Sequence, residues 1–381
     1  MVQSCDAIIV GAGPAGLATA AALRARGLDA AILEKSDAVG AVWRRHYDRL
    51  HLHTDRARSG LPGLPIPKAY GRYPSRAHMV DYLEAYASKF ALRPVFNAPV
   101  RALRREGGAW RADAEENSRI APIVVVATGW ADYPYAPTWP GIETFGGEIL
   151  HSSSYRNPAP FAGRRVLVVG SGNSGAEIAL DLAETGIDVA LSVRSPVNVI
   201  PRELFGVPIL VFPTAEQWLP PRLADAINAP LLRYAIGSIE KLGLKRAAKG
   251  PLQSIAEDGR VPLIDIGTLD AIRDGRIKLR GDVASFSLEN VGFRQSPAER
   301  FDTVILATGF RPDLRSLLPD AKGVLGAAGA PLVSGRATAE PGLFFCGAIP
   351  SAIGQFRQIS IEATRIAEAA ARSLNAGGSI S

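Results

Sequence analysis

One pattern occurs twice in this chain, and it restricts the fold more than any other feature. Residues 6 to 34 read DAIIVGAGPAGLATAAALRARGLDAAILE. A short apolar strand from Ala7 to Val10 meets a G-x-G-x-x-G turn made by Gly11, Gly13 and Gly16. The alanine-rich run to Arg26 has helical spacing, Gly27 ends it, and Ala30 to Leu33 form a second strand closed by Glu34. A glycine turn alone would be weak evidence; strand, turn, helix, strand and terminal acid together are the dinucleotide-binding arrangement. Gly11 permits the tight turn, Gly13 lets backbone approach a pyrophosphate, and Gly16 lets the helix pack on the strand. Pro14 and Ala15 begin the helix, whose free N–H groups and positive dipole end suit phosphate. Glu34 can accept hydrogen bonds from a ribose diol, which favours a ribose without a 2′-phosphate, as in FAD or NAD.

Residues 166 to 194, VLVVGSGNSGAEIALDLAETGIDVALSVR, repeat the pattern. Gly170, Gly172 and Gly175 make the turn around Asn173 and Ser174, Ala176 to Ala183 the helix, and Val189 to Val193 the strand. That strand finishes in Arg194 and Ser195, where the first copy has Glu34 and Lys35. An acid repels a 2′-phosphate, whereas arginine pairs with one through its planar fork. The second site is therefore expected to take NADPH, with a solvated strand-end charge as the plain alternative for Arg194. Each half then runs through a short β-meander into a buried strand ending in Ala-Thr-Gly: Ala127, Thr128 and Gly129 in the first, Ala307, Thr308 and Gly309 in the second.

The tail GLFFCGAIPSAIGQ, followed by an alanine-rich helix from about Ser360, is expected to rejoin the first half, with Gly347 placing backbone against a flavin. The expected fold is α/β, with two Rossmann-like dinucleotide-binding domains for FAD and NADPH, the second inserted into the first. The boundaries read 1–157, 158–309 and 310–381. Residues 197 to 268 interrupt the second domain as a proline-punctuated, mainly helical insertion. It reads either as a lid over the substrate pocket or as a layer covering core and offering a homodimer contact.

Length and charge agree. A chain of 381 residues has room for two cores. The net charge of +6 is dispersed along the chain, which suits anionic cofactors better than nucleic acid. Two cysteines and five histidines show no CxxC, HExxH or other metal-ligand spacing. The opening MVQSCDAIIVGAG does not read as a signal peptide, and the apolar FGVPILVF at 205 to 212 is flanked and broken by prolines, too short to span a bilayer. A cytoplasmic protein is expected.

Two dinucleotides imply hydride transfer from a nicotinamide to a flavin, after which the electrons need an acceptor. A cysteine pair would serve, but none exists, and Cys346 in its apolar strand reads as core. Oxygen remains. Between the first Ala-Thr-Gly strand and the second glycine turn lies FGGEILHSSSYR, residues 145 to 156. Phe145, Gly147, His151 and Tyr155, followed by Arg156, fit FxGxxxHxxxY[RK], and this stretch resembles the identifying motif of class B flavin-dependent monooxygenases. The resemblance covers nearly the whole chain and, within that class, is to the plant YUCCA indole-3-pyruvate monooxygenases and their bacterial relatives. YDRLHLH (47–53), YPSRAHMVDYLEAYASKF (73–90), VRSPVNVIPRELFG (193–206) and PLIDIGTLDAIRDGRIKL (262–279) carry it.

The resemblance implies that the 145–156 stretch joins the two domains and helps position the nicotinamide. It also implies that NADPH reduces FAD, and that oxygen then forms a flavin 4a-peroxide that oxygenates a small organic substrate. A 2-oxo acid such as indole-3-pyruvate, decarboxylated oxidatively, is the substrate the plant-like motifs favour; a sulfide, amine or ketone fits the same chemistry. An NADPH oxidase or reductase releasing hydrogen peroxide is a further reading, and a redox-sensing nucleotide-binding protein without turnover is another. Trp43, Leu52 and His53 are candidates for flavin contact, His53 being either an active-site residue or a buried structural histidine. Lys35, Val42 and Val100 complete the candidate FAD contacts, and Asn173 and Ser174 are candidates for the nicotinamide nucleotide. No Ser–His–Asp or paired-carboxylate arrangement is present, and no catalytic acid or base is assigned.

Overall fold

The computed structural model describes residues 3–216 and 218–377. The chain divides into two units: one takes the stretches through Arg45, from Leu50 to Tyr133 and from Arg311 onward, the other takes His46–Arg49 and Pro134–Phe310.

The first unit is built on a parallel sheet in the order Leu343–Phe345, Ile123–Val126, Ala7–Val10, Ala30–Leu33. Ala7–Val10 and Ile123–Val126 are buried at every position, because layers cover both faces, as a parallel sheet requires. One face takes the helix Pro14–Arg24, with the long helix Gln355–Gly377 packed against it. That last helix starts at Gln355, ahead of the Ser360 expected from composition. The other face is filled by a cluster including Leu103, Trp110, Leu314 and Leu317. Leu103 and Trp110 stand on a three-stranded meander, Ala102–Glu106, Ala109–Asp113 and Arg119–Ala121, which begins one strand ahead of the stretch expected from sequence.

The second unit is a five-stranded parallel sheet in the order Ile277–Arg280, Asp188–Ser192, Arg165–Val169, Thr303–Leu306, Glu148–His151. Its last strand corrects the expected boundary at residue 157. Residues 134–157 group with the second unit because Glu148–His151 is an edge strand in parallel register with Thr303–Leu306. The short segment His46–Arg49 is also counted here: Tyr47 donates to the Glu177 carboxylate at 2.8 Å, and the Asp48 N–H donates to the Arg156 carbonyl at 2.8 Å.

The main elements of the insertion are the helices Val211–Ala215, Pro221–Ile236 and Pro251–Asp258, and two small strand pairs accompany them. Val199–Pro201 pairs in parallel with Leu263–Asp265, and Glu203–Leu204 makes a small hairpin with Val207–Pro208. Its main helix, Pro221–Ile236, carries Pro230 inside rather than being broken by it. No helix among the described residues is long and apolar enough to cross a membrane.

Candidate functional site

The two glycine turns have nearly the same backbone. Gly11 has φ +109° and Gly170 φ +114°, a region closed to residues with a Cβ. A Cβ on Gly11 would also lie 2.7 Å from the Ala127 carbonyl oxygen, and one on Gly170 2.4 Å from that of Ala307. The Ala-Thr-Gly strands are thus the walls that each turn abuts. A Cβ on Gly16 would come within 1.9 Å of the Gly11 oxygen, and one on Gly175 within 1.9 Å of the Gly170 oxygen. At Gly13 and Gly172 the same construction meets nothing within 4 Å. These two are the N-caps of Pro14–Arg24 and Asn173–Glu184, and neither helix has a side-chain cap. Each unit therefore presents an uncapped helix N-terminus beneath an open glycine, the arrangement that receives phosphate.

In the first unit this turn opens on a cavity of about 590 Å³. Thirteen of the sequence-derived candidates line it: Gly11, Gly13, Pro14, Ala15, Glu34 and Lys35; Val42, Trp43 and Val100; Ala127, Thr128 and Gly129; and Gly347. Gly16 lies beneath the turn, and neither Leu52, which is core, nor the half-buried His53 lines this cavity. The buried Glu34 carboxylate accepts the Ala12 N–H at 2.7 Å on one oxygen and the Ser36 N–H at 2.9 Å on the other. Each oxygen keeps acceptor capacity for a diol. Gly347, at φ +71°, is pinned where a Cβ would crowd Ala15 and Ile359, and its N–H donates to the buried Glu362 at 2.7 Å.

Three contributors to this cavity have no signal in sequence. Gln355 reaches it while donating to the Gly347 carbonyl at 3.2 Å. Asp132 pairs with Lys35 at 2.9 Å and Arg45 at 3.1 Å at the rim. The indole N–H of Trp130 is buried in the wall with no acceptor among the described residues. A buried donor without a partner, an acid with spare lone pairs and an open glycine cradle fit an FAD.

In the second unit Arg194 is exposed at the end of its strand, and its side chain has no partner among the described residues. Ser195 follows it half-buried. Thr308 donates to the Tyr135 carbonyl, and Gly309 lends its carbonyl to His151. The side chain of Asn173 is already engaged: its amide donates to the Pro262 carbonyl at 3.2 Å and accepts the Ile264 N–H at 2.8 Å. It clamps the insertion to the turn rather than standing free for a nucleotide. The hydroxyl of Ser174 hydrogen-bonds Tyr47.

The 145–156 stretch braces this unit through every motif residue. Phe145 packs edge-on against Phe286 at 5.4 Å, and a Cβ on Gly147 would strike the Phe145 ring and the Asp302 carbonyl. His151 Nδ1 accepts the Ser153 N–H at 3.1 Å, so Nε2 carries the proton and donates to the Gly309 carbonyl at 3.1 Å. Burial pulls the His151 imidazole below its ordinary range. Tyr155 is buried, stacks on Phe161 and donates to Asp181 at 2.7 Å. Burial pushes the Asp181 carboxyl up.

Cys5 and Cys346 are both free thiols. Cys346 is fully buried in the cavity wall and its thiol is pushed up to about 12 by burial. A buried thiol held in its protonated form is a poor nucleophile, which fits Cys346 as a packing residue of the wall.

Fold and site define a flavin-dependent oxidoreductase. A family model described as pyridine nucleotide-disulphide oxidoreductase matches residues 8–202. The indole-3-pyruvate monooxygenase YUCCA1 of Oryza sativa subsp. japonica is 43% identical over 320 residues, 83% of this chain and 79% of that one. Indole-3-pyruvate monooxygenase YUCCA6 of Arabidopsis thaliana is 38% identical over 329 residues, 83% and 78% of the two chains. Among solved structures, a flavin-containing monooxygenase from Stenotrophomonas maltophilia superposes with TM-score 0.73 at 26% identity, covering 99% of this chain and 100% of that one. An oxidized steroid monooxygenase bound to NADP, 21% identical and covering 99% and 86%, shares the fold at TM-score 0.76. The chain belongs to the class B flavin-dependent monooxygenases, in the family of the YUCCA enzymes.

Proposed function

We propose that the chain is an NADPH-dependent FAD monooxygenase that decarboxylates a 2-oxo acid of the indole-3-pyruvate type. The observation that carries the cofactor assignment is the pair of equivalent glycine turns whose strands end in opposite charges, Glu34 and Arg194. The names of the rice and Arabidopsis relatives support the substrate. When bound, FAD supplies two-electron exchange with NADPH and the reaction with oxygen. The chain's part is to bind and orient. The N–H groups after Gly13 meet pyrophosphate, Glu34 takes the ribose diol, and the Ala127–Gly129 and Gly347 backbones wall the cavity. Arg194 pairs with the 2′-phosphate, and the N–H groups after Gly172 take the second pyrophosphate.

The balance is one 2-oxo acid, one O₂, one NADPH and one proton giving the carboxylic acid shortened by one carbon, CO₂, water and NADP⁺. The test is stoichiometry: purified yellow protein with NADPH and indole-3-pyruvate should release about one CO₂ per NADPH and little hydrogen peroxide. One peroxide per NADPH, with indole-3-pyruvate intact, would show an NADPH oxidase instead.

A further inference from the structure

A second concave site lies in the first unit, on the face of the Gln355–Gly377 helix that presents Arg357, Ser360, Ile361, Thr364 and Arg365. Spaced three and four residues apart, these side chains share one stripe. Opposite stands the loop 56–65, and between them is a groove of about 840 Å³.

Hydrogen bonds tie its walls together. Tyr82 accepts the Leu61 N–H at 2.7 Å and donates to the Leu64 carbonyl at 2.5 Å, and Tyr86 donates to the Pro62 carbonyl at 2.8 Å. Ser360 ties the helix to the loop through the Gly60 carbonyl at 3.1 Å.

Its charges are unspent. Arg56, Arg357 and Arg365 line the groove, and none has a side-chain partner among the described residues. Arg357 is half-buried and its Nε is fully so, with no acceptor. The carboxylate of the lining, Glu368, is engaged by Arg26 at 3.1 Å, and Arg58 by Asp55 at 2.9 Å. A half-buried guanidinium with a buried orphan N–H is satisfied by an oxyanion acceptor. The apolar part of the wall comes from Pro62, Leu64 and Ile361, beside Ser360 and Thr364, whose hydroxyls donate to backbone carbonyls.

We propose that this groove is a binding site for an amphipathic carboxylate, a small organic acid whose charged end meets Arg56 and Arg357 and whose apolar body lies on Pro62, Leu64 and Ile361. It is distinct from the dinucleotide cavity, since none of its residues lines that cavity.

The experiment is a calorimetric titration of the flavin-loaded, full-length protein in the absence of NADPH, so it reads the groove whether or not the chain decarboxylates 2-oxo acids. The probes are indole-3-acetate, its uncharged amide, indole-3-pyruvate and inorganic phosphate. Both carboxylates should bind, the amide about tenfold or more weaker. Arg56→Met and Arg357→Met should lose a similar factor, and the exposed Arg365→Met, which leaves the core untouched, a smaller one. The flavin absorbance and melting temperature of the variants should match wild type. A preference of at least tenfold between the two acids would identify the source as product-like or substrate-like. Equal binding of acid and amide, affinity unchanged in all three variants, or inorganic phosphate displacing the acid at equal concentration would each overturn the proposal.

Discussion

Gly16 and Gly175 show how one missing methyl shapes a site. A Cβ at either would sit 1.9 Å from a carbonyl oxygen of its own turn, and backbone cannot retreat without opening the phosphate cradle. Gly16→Ala should purify with a flavin-to-protein absorbance ratio well below the wild-type value. A full flavin complement would show that the turn has room to give. Arg194 makes a complementary prediction in the second turn. Arg194→Ala should raise the KM for NADPH about tenfold while leaving that for NADH nearly unchanged. Equal effects on the two would remove the 2′-phosphate assignment. Both positions are legible in sequence because a turn and a strand end are local features. Asn173 is not: its partners, Pro262 and Ile264, are about ninety positions away, and nothing near it announces them.

The element that looked most like a signature, 145–156, turns out to be an edge strand and its braces. Tyr155→Phe should cost about 1–2 kcal/mol in urea unfolding, because Asp181 loses a short hydrogen bond in a half-buried setting. His151 adds a pH dependence. Its folded-state imidazole titrates below the ordinary 6.5 because burial disfavours the charged form. The unfolded chain therefore binds the proton more readily, and stability present above about pH 6.5 is lost as pH falls through the lower folded value. Protonation would also place a donor on Nδ1 against the Ser153 N–H. Melting temperature should fall between about pH 7 and pH 5. His151→Gln, which can still donate to Gly309, should flatten that slope; an unchanged slope would assign it elsewhere.

At the scale of the whole molecule, two units with separate sheets and cores predict two unfolding transitions rather than one. NADP⁺ at about a hundred times its Kd should stabilise one by about 2.7 kcal/mol and leave the other nearly in place. Stripping the flavin should lower the other. A single calorimetric transition that moves as a whole with either nucleotide would show the units melting together.

The sequence by itself determined the two nucleotide turns, the order of strand and helix around them, and the charge that distinguishes one from the other. Each of these follows from sterics and periodicity within about thirty residues, so local pattern is enough. Only the tertiary structure decided that residues 134–157 group with the second unit, that Leu52 and His53 fall outside the first cavity, and that Gln355, Trp130 and Asp132 enter it. It alone set Arg56 and Arg357 across a groove from each other, three hundred positions apart in the chain. An arginine has the same appearance in sequence whether it faces water, an acid or a groove; its neighbours in space make that choice, and they are brought together by packing.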